Sequence, residues 1–172
     1  MKIKRTIVFG AVLIGLTAFA MSVKTSTPKP TEHVKPTAVE TMPDFAVKDA
    51  NGKTINLRSL KGKKVFVNLW ATWCGPCRRE MPSINNLYKK VNSKTEFVML
   101  SLDDNFNKAI AYKAQQGFDF PVYYPANNLP PLFQVQGIPA TFIFNEKGEL
   151  IQRLEGMMEY DTEQFVKLLS GK

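Results

Sequence analysis

The chain has 172 residues, 44% of them hydrophobic, which suits one domain around one core and is short for two domains. The net charge of +8 raises the question of nucleic-acid binding, but residues 1–20 supply three of these charges and leave +5 for residues 21–172. No cluster of Lys and Arg interleaved with aromatic residues follows, so the sequence indicates no nucleic-acid partner.

The first 23 residues have the pattern of an export segment. A basic start, MKIKR, precedes an uncharged, mainly apolar run at residues 6–23. Two outcomes stay open, because the run is just long enough for a membrane anchor, whereas Ala18-Phe19-Ala20 is a candidate signal-peptidase site. In both cases the positive-inside rule predicts that the rest of the chain lies outside the cytoplasm, where disulfides persist.

Residues 24–41 are predicted to form a flexible linker. They are rich in Pro, Thr and Lys, and such a segment buries too little apolar surface to offset the entropy of its chain. The single histidine of the chain, His33, falls here, and we expect it to be solvated rather than catalytic or metal-bound. The folded domain is predicted to span residues 42–172.

The folded part is predicted to begin with a β-hairpin. Two short strands in PDFAVKDANGKTINL flank Asn51-Gly52, a pair that suits the positive φ of hairpin turns. A β-rich apolar run, KVFVNLW, starts at Lys64 and is typical of a buried central strand. This strand leads directly to the only two cysteines of the chain.

Helices and strands alternate after the cysteines. Apolar residues at helical spacing occur between residues 84 and 91, and EFVMLSL, NKAIAYKAQQ and PVYYP predict a buried strand, a helix that stops at Gly117 and a short extended segment. Two further strands are predicted about Lys147-Gly148, followed by a last helix, DTEQFVKLLS, with Asp161 as its N-cap. The pattern predicts an α/β domain with a central mixed β-sheet flanked by helices.

Cys74 and Cys77 are predicted to be a nucleophile and its resolving thiol. A cysteine at the first turn of a helix faces unpaired backbone N–H groups and the positive end of the helix dipole, which favour its thiolate. The two intervening residues bring Cys77 back close enough to attack a mixed disulfide on Cys74. Pro76 suits the first helical turn and Gly75 leaves the approach to the sulfur unobstructed.

Other roles for the cysteine pair fit the sequence less well. A disulfide across two residues closes almost no loop, and its stabilisation would be small beside the ~3 kcal/mol of a 15-residue loop. A zinc site needs about four ligands, and a copper carrier of similar fold would want a nearby histidine. We therefore expect no metal and no cofactor, because both electrons reside in the cysteine pair. A metal- or peptide-binding module without turnover stays an alternative.

The combination of WCGPC after a β-rich strand with GIPATFIF about 60 residues later resembles the thioredoxin superfamily. The hairpin lead-in and the run to residue 82 resemble its TlpA/ResA-like branch of extracytoplasmic thiol-disulfide oxidoreductases, over about residues 42–170. The resemblance implies a thioredoxin-like fold with an extra N-terminal hairpin. It also implies a cis bond between Ile138 and Pro139, in a loop that lies against Cys74 and offers Ile138 backbone groups to an extended substrate. Trp73 matches the tryptophan that would shield the nucleophile and pack on substrate.

Two departures from thioredoxin bear on proton transfer. Asn68 stands where thioredoxin has a buried Asp, and Met99 replaces a buried Lys, so the usual proton acceptor for the resolving cysteine is missing. Glu80, three residues after Cys77, matches an acidic residue of the TlpA/ResA-like branch, and we expect it to tune the thiols and assist proton transfer. The alternative is a solvated glutamate beside two arginines.

The expected function is an extracytoplasmic protein-disulfide reductase. The Gly-Pro dipeptide between the cysteines is the one found in thioredoxin, a reducing protein. In an oxidising compartment such an enzyme needs a membrane thiol electron donor. Its clients would be disulfide-containing exported proteins, including an apocytochrome c during cytochrome c maturation. A thiol oxidase or isomerase of the same fold is the alternative, and one cysteine pair per chain suits a monomer.

Overall fold

The structure is a computed structural model that describes residues 40–171. The predicted signal peptide or anchor, His33 and most of the predicted linker lie outside the described residues. Within residues 40–171, none of the helices has the length and apolar character that crossing a membrane requires.

Within residues 40–171, seven strands form one mixed sheet, and three helices accompany it. The strands are β1 (Ala46–Asp49), β2 (Thr54–Asn56), β3 (Lys64–Trp70), β4 (Thr95–Ser101), β5 (Val122–Pro125), β6 (Ala140–Phe144) and β7 (Leu150–Glu155). The helices are α1 (Gly75–Val91), α2 (Phe106–Gln116) and α3 (Glu163–Ser170), with short 3-10 helices at Leu57–Leu60 and Pro131–Phe133. The predicted α/β class with a mixed sheet is confirmed.

The strand order is β2-β1-β5-β4-β3-β6-β7. The central strands β3, β4 and β5 are parallel, and all other neighbours pair antiparallel. The predicted N-terminal hairpin is β1–β2, and β1 joins it to the sheet by pairing with β5. Its turn has a positive φ at Gly52 (79°), while the Asp49 carboxylate accepts the backbone N–H groups of Asn51 and Lys53 at 2.9 Å.

Both faces of the sheet are covered, which explains why β3 is mostly apolar. Val65, Val67 and Leu69 belong to the core on one face, and Phe66 and Trp70 belong to the core on the α1 and α3 side. Alternation in a strand places Asn68 on the same face as Phe66 and Trp70, where it is fully buried. The strand therefore delivers one polar side chain beneath α1.

The helix ends follow local capping chemistry. Helix α2 ends at Gly117 with φ 66°, as predicted. The predicted N-cap of α3 is wrong by one residue, because the Thr162 side chain, not that of Asp161, accepts the N–H of Phe165. The Asp161 carboxylate instead pairs with Lys90.

Candidate active site

The cysteine pair lies at the start of α1, directly after the central strand β3. Cys74 is the N-cap residue of α1, and its Sγ accepts the backbone N–H of Cys77 at 3.1 Å. The two cysteines form a disulfide and are almost inaccessible, with Cys74 5% and Cys77 0% exposed. The sulfur of Cys74 thus lies where the backbone N–H groups of a helix start favour a negative charge.

The residues between the cysteines continue the first turn of the helix. Pro76 lies at the start of α1, where a missing N–H costs little. A Cβ added to Gly75 would meet only the Arg79 guanidinium, at an ordinary 3.6 Å. A side chain at this position would therefore have room, and the backbone conformation does not require glycine.

The loop before β6 comes against Cys74. The Ile138–Pro139 peptide bond is cis, as the resemblance implies, and the Ile138 carbonyl oxygen lies 3.7 Å from Cys74 Sγ. On the outer side, Trp73 is 67% exposed next to the buried cysteine. The fold therefore brings Ile138 and Pro139 to the residues of the Cys74–Cys77 motif across a wide gap in sequence.

The loop that leads into the cysteine motif is held by Asp103. Its carboxylate accepts the Thr72 N–H at 3.0 Å and the Thr72 hydroxyl at 2.6 Å, and it also accepts the Ser101 hydroxyl at 2.9 Å. Asp103 was not among the residues predicted for the site. The sequence does hold a signal, because two buried strands separated by a helix favour parallel pairing, which brings the segments after both strands together. The observed parallel register pairs Trp70 with Ser101.

Glu80 is buried beneath the cysteine motif, so the solvated alternative is wrong. It is 2% exposed, and its two carboxylate oxygens accept the Asn68 side-chain amide at 2.9 Å and the Met158 backbone N–H at 3.1 Å. Burial raises the pKa of Glu80 from 4.5 to about 7, against the lowering effect of these two hydrogen bonds. The group can therefore change its protonation state near neutral pH.

A buried polar chain continues from Glu80 into the core. The Asn68 amide also donates to the Thr141 hydroxyl at 3.0 Å, which lies 2.6 Å from the Tyr160 hydroxyl. Burial, and after it the charge of Glu80, raises the pKa of Tyr160. Neither Thr141 nor Tyr160 was predicted, because nothing in their local sequence distinguishes them from ordinary core residues.

The reactive groups at this site include the two sulfurs and the buried acid. Within residues 40–171, no group of three or more His, Cys, Asp or Glu side chains is arranged to hold a metal ion. The cysteine pair can carry two electrons, and Glu80 can carry a proton. This combination suits thiol-disulfide exchange.

The amino-acid sequence is similar to a known family and to known proteins. The Redoxin family model matches residues 37–169. The thiol-disulfide oxidoreductase ResA of Bacillus thuringiensis (strain Al Hakam) is 36% identical over 116 residues, which are 66% of this chain and 67% of that protein.

Solved structures agree with the fold. A thiol:disulfide interchange protein of the thioredoxin family from Chlorobium tepidum TLS is similar with a TM-score of 0.64 and 26% identity, over 80% of this chain and all of that chain (100%). StoA from Bacillus subtilis is similar with a TM-score of 0.60 and 25% identity, over 77% of this chain and 98% of that chain. The expected thioredoxin-like fold is confirmed.

Proposed function

The chain belongs to the Redoxin family and is a thiol-disulfide oxidoreductase, and from this premise we propose that it reduces disulfides in exported proteins outside the cytoplasm. The observation that carries the proposal is the Cys74–Cys77 pair at the start of α1, with Cys74 Sγ 3.7 Å from the Ile138 carbonyl oxygen. The basic and apolar pattern of residues 1–23 supports export.

The proposed reaction begins on Cys74. Its thiolate, favoured by the helix start and the Cys77 N–H, attacks one sulfur of the client disulfide and forms a mixed disulfide, while the other client sulfur leaves as a thiolate. Cys77 then loses its proton and attacks the Cys74 sulfur. This step re-forms the Cys74–Cys77 disulfide and releases the second client sulfur, so two electrons have passed to the client.

Glu80 is the proposed proton acceptor for Cys77 in the second step. It lies three residues after Cys77 on the same helix, and its pKa of about 7 allows it to accept and release a proton near neutral pH. Replacement of Glu80 by Gln should shift the cysteine pKa values and slow exchange, with exposed Glu159→Gln as the matched control. If E80Q leaves both cysteine pKa values and the exchange rate unchanged, Glu80 has no such role.

The client-binding residues proposed are Trp73, Gly75, Pro76, Ile138 and Pro139. Trp73 offers an exposed apolar surface beside Cys74, and the Ile138–Pro139 loop lies against the sulfur. An extended client segment that pairs with this loop would place its disulfide near Cys74. Gly75 and Pro76 present little side chain to obstruct such a segment.

The partners follow from the chemistry. A reductant in an oxidising compartment must be reduced again, so we propose a membrane thiol electron donor and no further cofactor. An apocytochrome c whose haem-binding cysteines must stay reduced is one proposed client, and other oxidised exported proteins are another. We propose a monomer that residues 1–23 either anchor in the membrane or release after cleavage.

The reduction potential of the cysteine pair tests the direction of exchange. Trp73 adjoins Cys74, so Trp fluorescence of the chain equilibrated against thiol redox buffers should report the state of the pair. A potential near that of thioredoxin, about −270 mV, or at least below about −230 mV, supports the reductant. A potential near about −120 mV would instead identify an oxidant of the same fold.

Insulin reduction separates an enzyme from a binding module. A reductase accelerates the reduction of insulin by a small thiol, and this acceleration disappears when Cys74 is replaced by Ser. A binding module of the same fold would bind without any such acceleration.

A further inference from the structure

The segment between β7 and α3 makes three inward hydrogen bonds at alternate residues. The Gly156 N–H donates to the Pro139 carbonyl oxygen at 2.9 Å, the Met158 N–H donates to Glu80 Oε2 at 3.1 Å, and the Tyr160 N–H donates to Ser83 Oγ at 3.1 Å. We call residues 156–160 the strap. Its three acceptors lie in the loop beside Cys74 and on α1.

Within the part of the chain that the structure describes, residues 40–171, the outer side of the strap makes no such hydrogen bonds. Met157 is 51% exposed, and Glu159 is also exposed. At the start of the strap, Gly156 has φ 87°, a conformation that suits glycine, although a Cβ there would meet no atom within 4 Å. Backbone conformation rather than space therefore requires glycine where the strap leaves β7.

We propose that the strap fixes the position of the buried acid relative to the client-facing loop. In this proposal the backbone N–H of Met158 is the group that positions Glu80. The backbone N–H of Gly156 positions Pro139 in the same way. Because one short segment contacts both, a displacement of the Pro139 loop by a bound client is transmitted to the donor on Glu80. The inference rests on the proposed role of Glu80.

The Met158 N–H matters to Glu80 because few groups offset the effect of burial on the pKa of this carboxyl group. The two hydrogen bonds that lower the pKa of Glu80 come from Asn68 and Met158, and burial outweighs both. A carboxylate gains more than a neutral carboxyl group from a backbone N–H, so loss of the Met158 donor favours the protonated form. The strap thereby influences when Glu80 can accept a proton.

Few other groups around Glu80 can titrate near neutral pH in the oxidised protein. On α1 the neighbour is Cys77, which the disulfide removes from titration. From β3 the neighbour is Asn68, which also donates to Thr141 on β6; neither side chain titrates, and beyond them Tyr160 has a raised pKa. On the strap itself, Glu159 is exposed and accepts the Asp161 N–H at 3.1 Å.

A pH titration followed by NMR tests the proposal. It uses the oxidised full chain, solubilised in detergent micelles. The side-chain carboxyl carbon of Glu80 and the amide proton of Met158 are followed by NMR as the pH changes. We expect the two signals to titrate with one midpoint near 7. The titration of the Met158 amide should vanish in Glu80→Gln and persist in Glu159→Gln. A Met158 amide proton that does not respond to Glu80 overturns the proposal.

Two variants of Met158 separate its backbone from its side chain. Met158→Pro removes the N–H donor, and Met158→Ala keeps it. We expect Pro to raise the Glu80 midpoint by about one pH unit and Ala to leave it unchanged. Equal midpoints in both variants would overturn the proposal, and if Met158→Pro does not fold, the wild-type titration decides alone. These measurements need no turnover, so their failure is distinct from an unexpected reduction potential or absent insulin reduction.

Discussion

Glu80→Gln should change how the stability of the oxidised protein depends on pH. The folded pKa of Glu80 is about 7, and its ordinary value is 4.5. A carboxyl group with a raised folded pKa gives its full stability below the unfolded pKa, and this stability is lost as pH rises through the folded pKa. Wild-type stability should therefore fall between pH 4.5 and 7 through this group and level off above.

The size of this change in the free energy of unfolding follows from the pKa shift of Glu80. A rise from 4.5 to about 7, at 1.36 kcal/mol for each pH unit, corresponds to about 3 kcal/mol between the two ends of this range. Gln cannot ionise, so E80Q lacks this dependence. It also places an N–H₂ group where one carboxylate oxygen accepts a hydrogen bond, and the loss of that bond costs about 1 kcal/mol at all pH values.

Urea unfolding at a series of pH values measures the effect. The free energy of unfolding of E80Q minus that of wild type should rise by about 3 kcal/mol from pH 4.5 to 8, as extrapolated from the urea midpoints. The exposed Glu159→Gln variant serves as the control and should show a much smaller change. A difference between E80Q and wild type that stays constant across this pH range would refute the assignment of a buried, pKa-shifted Glu80.

Three further substitutions test the site and the core. Asp103→Ala removes the acceptor of the Thr72 N–H and hydroxyl, and it should lower the free energy of unfolding by about 2 kcal/mol and slow insulin reduction; an unchanged rate would mean that the loop needs no anchor. Trp73→Ala should change stability by less than about 0.5 kcal/mol but raise the KM for a protein disulfide, and an unchanged KM would remove Trp73 from the client site. Phe66→Ala removes a ring that stacks on Phe97 with the ring centroids 4.8 Å apart, and it should lower the free energy of unfolding in urea by about 3–5 kcal/mol without moving the reduction potential. A shifted potential would contradict a purely structural role.

Much of the fold could be predicted because its signals are local. The apolar run of β3 indicated a strand buried on both faces, and Gly117 marked the end of α2 through its left-handed conformation. The N-cap of α3 could not be decided in this way. Asp161 and Thr162 are both good caps, and only the fold shows that Thr162 caps α3 while Asp161 pairs with Lys90, which lies far away in sequence.

One part of the site could be predicted from local sequence, and another part depends on contacts between distant segments. The spacing of Cys74 and Cys77 predicts a redox pair, since both lie on one helical turn. The burial of Glu80 could not be read from its neighbours on the helix, because the groups that enclose it belong to distant segments. Asn68 comes from β3 and Met158 from the strap. Only the folded chain brings these donors to the carboxylate.

The position of the acid on α1 has a consequence for exchange. In thioredoxin-like chains with a buried acid on the central strand, the acid and the resolving cysteine belong to different elements. Here the strand position is Asn68, which donates to Glu80, and the acid shares helix α1 with Cys77. A helix keeps residues three apart as neighbours even if the surrounding loops move. Under the proposed function, a client that displaces the Pro139 loop would therefore leave Glu80 beside Cys77, while the strap changes the position of the donor on Glu80.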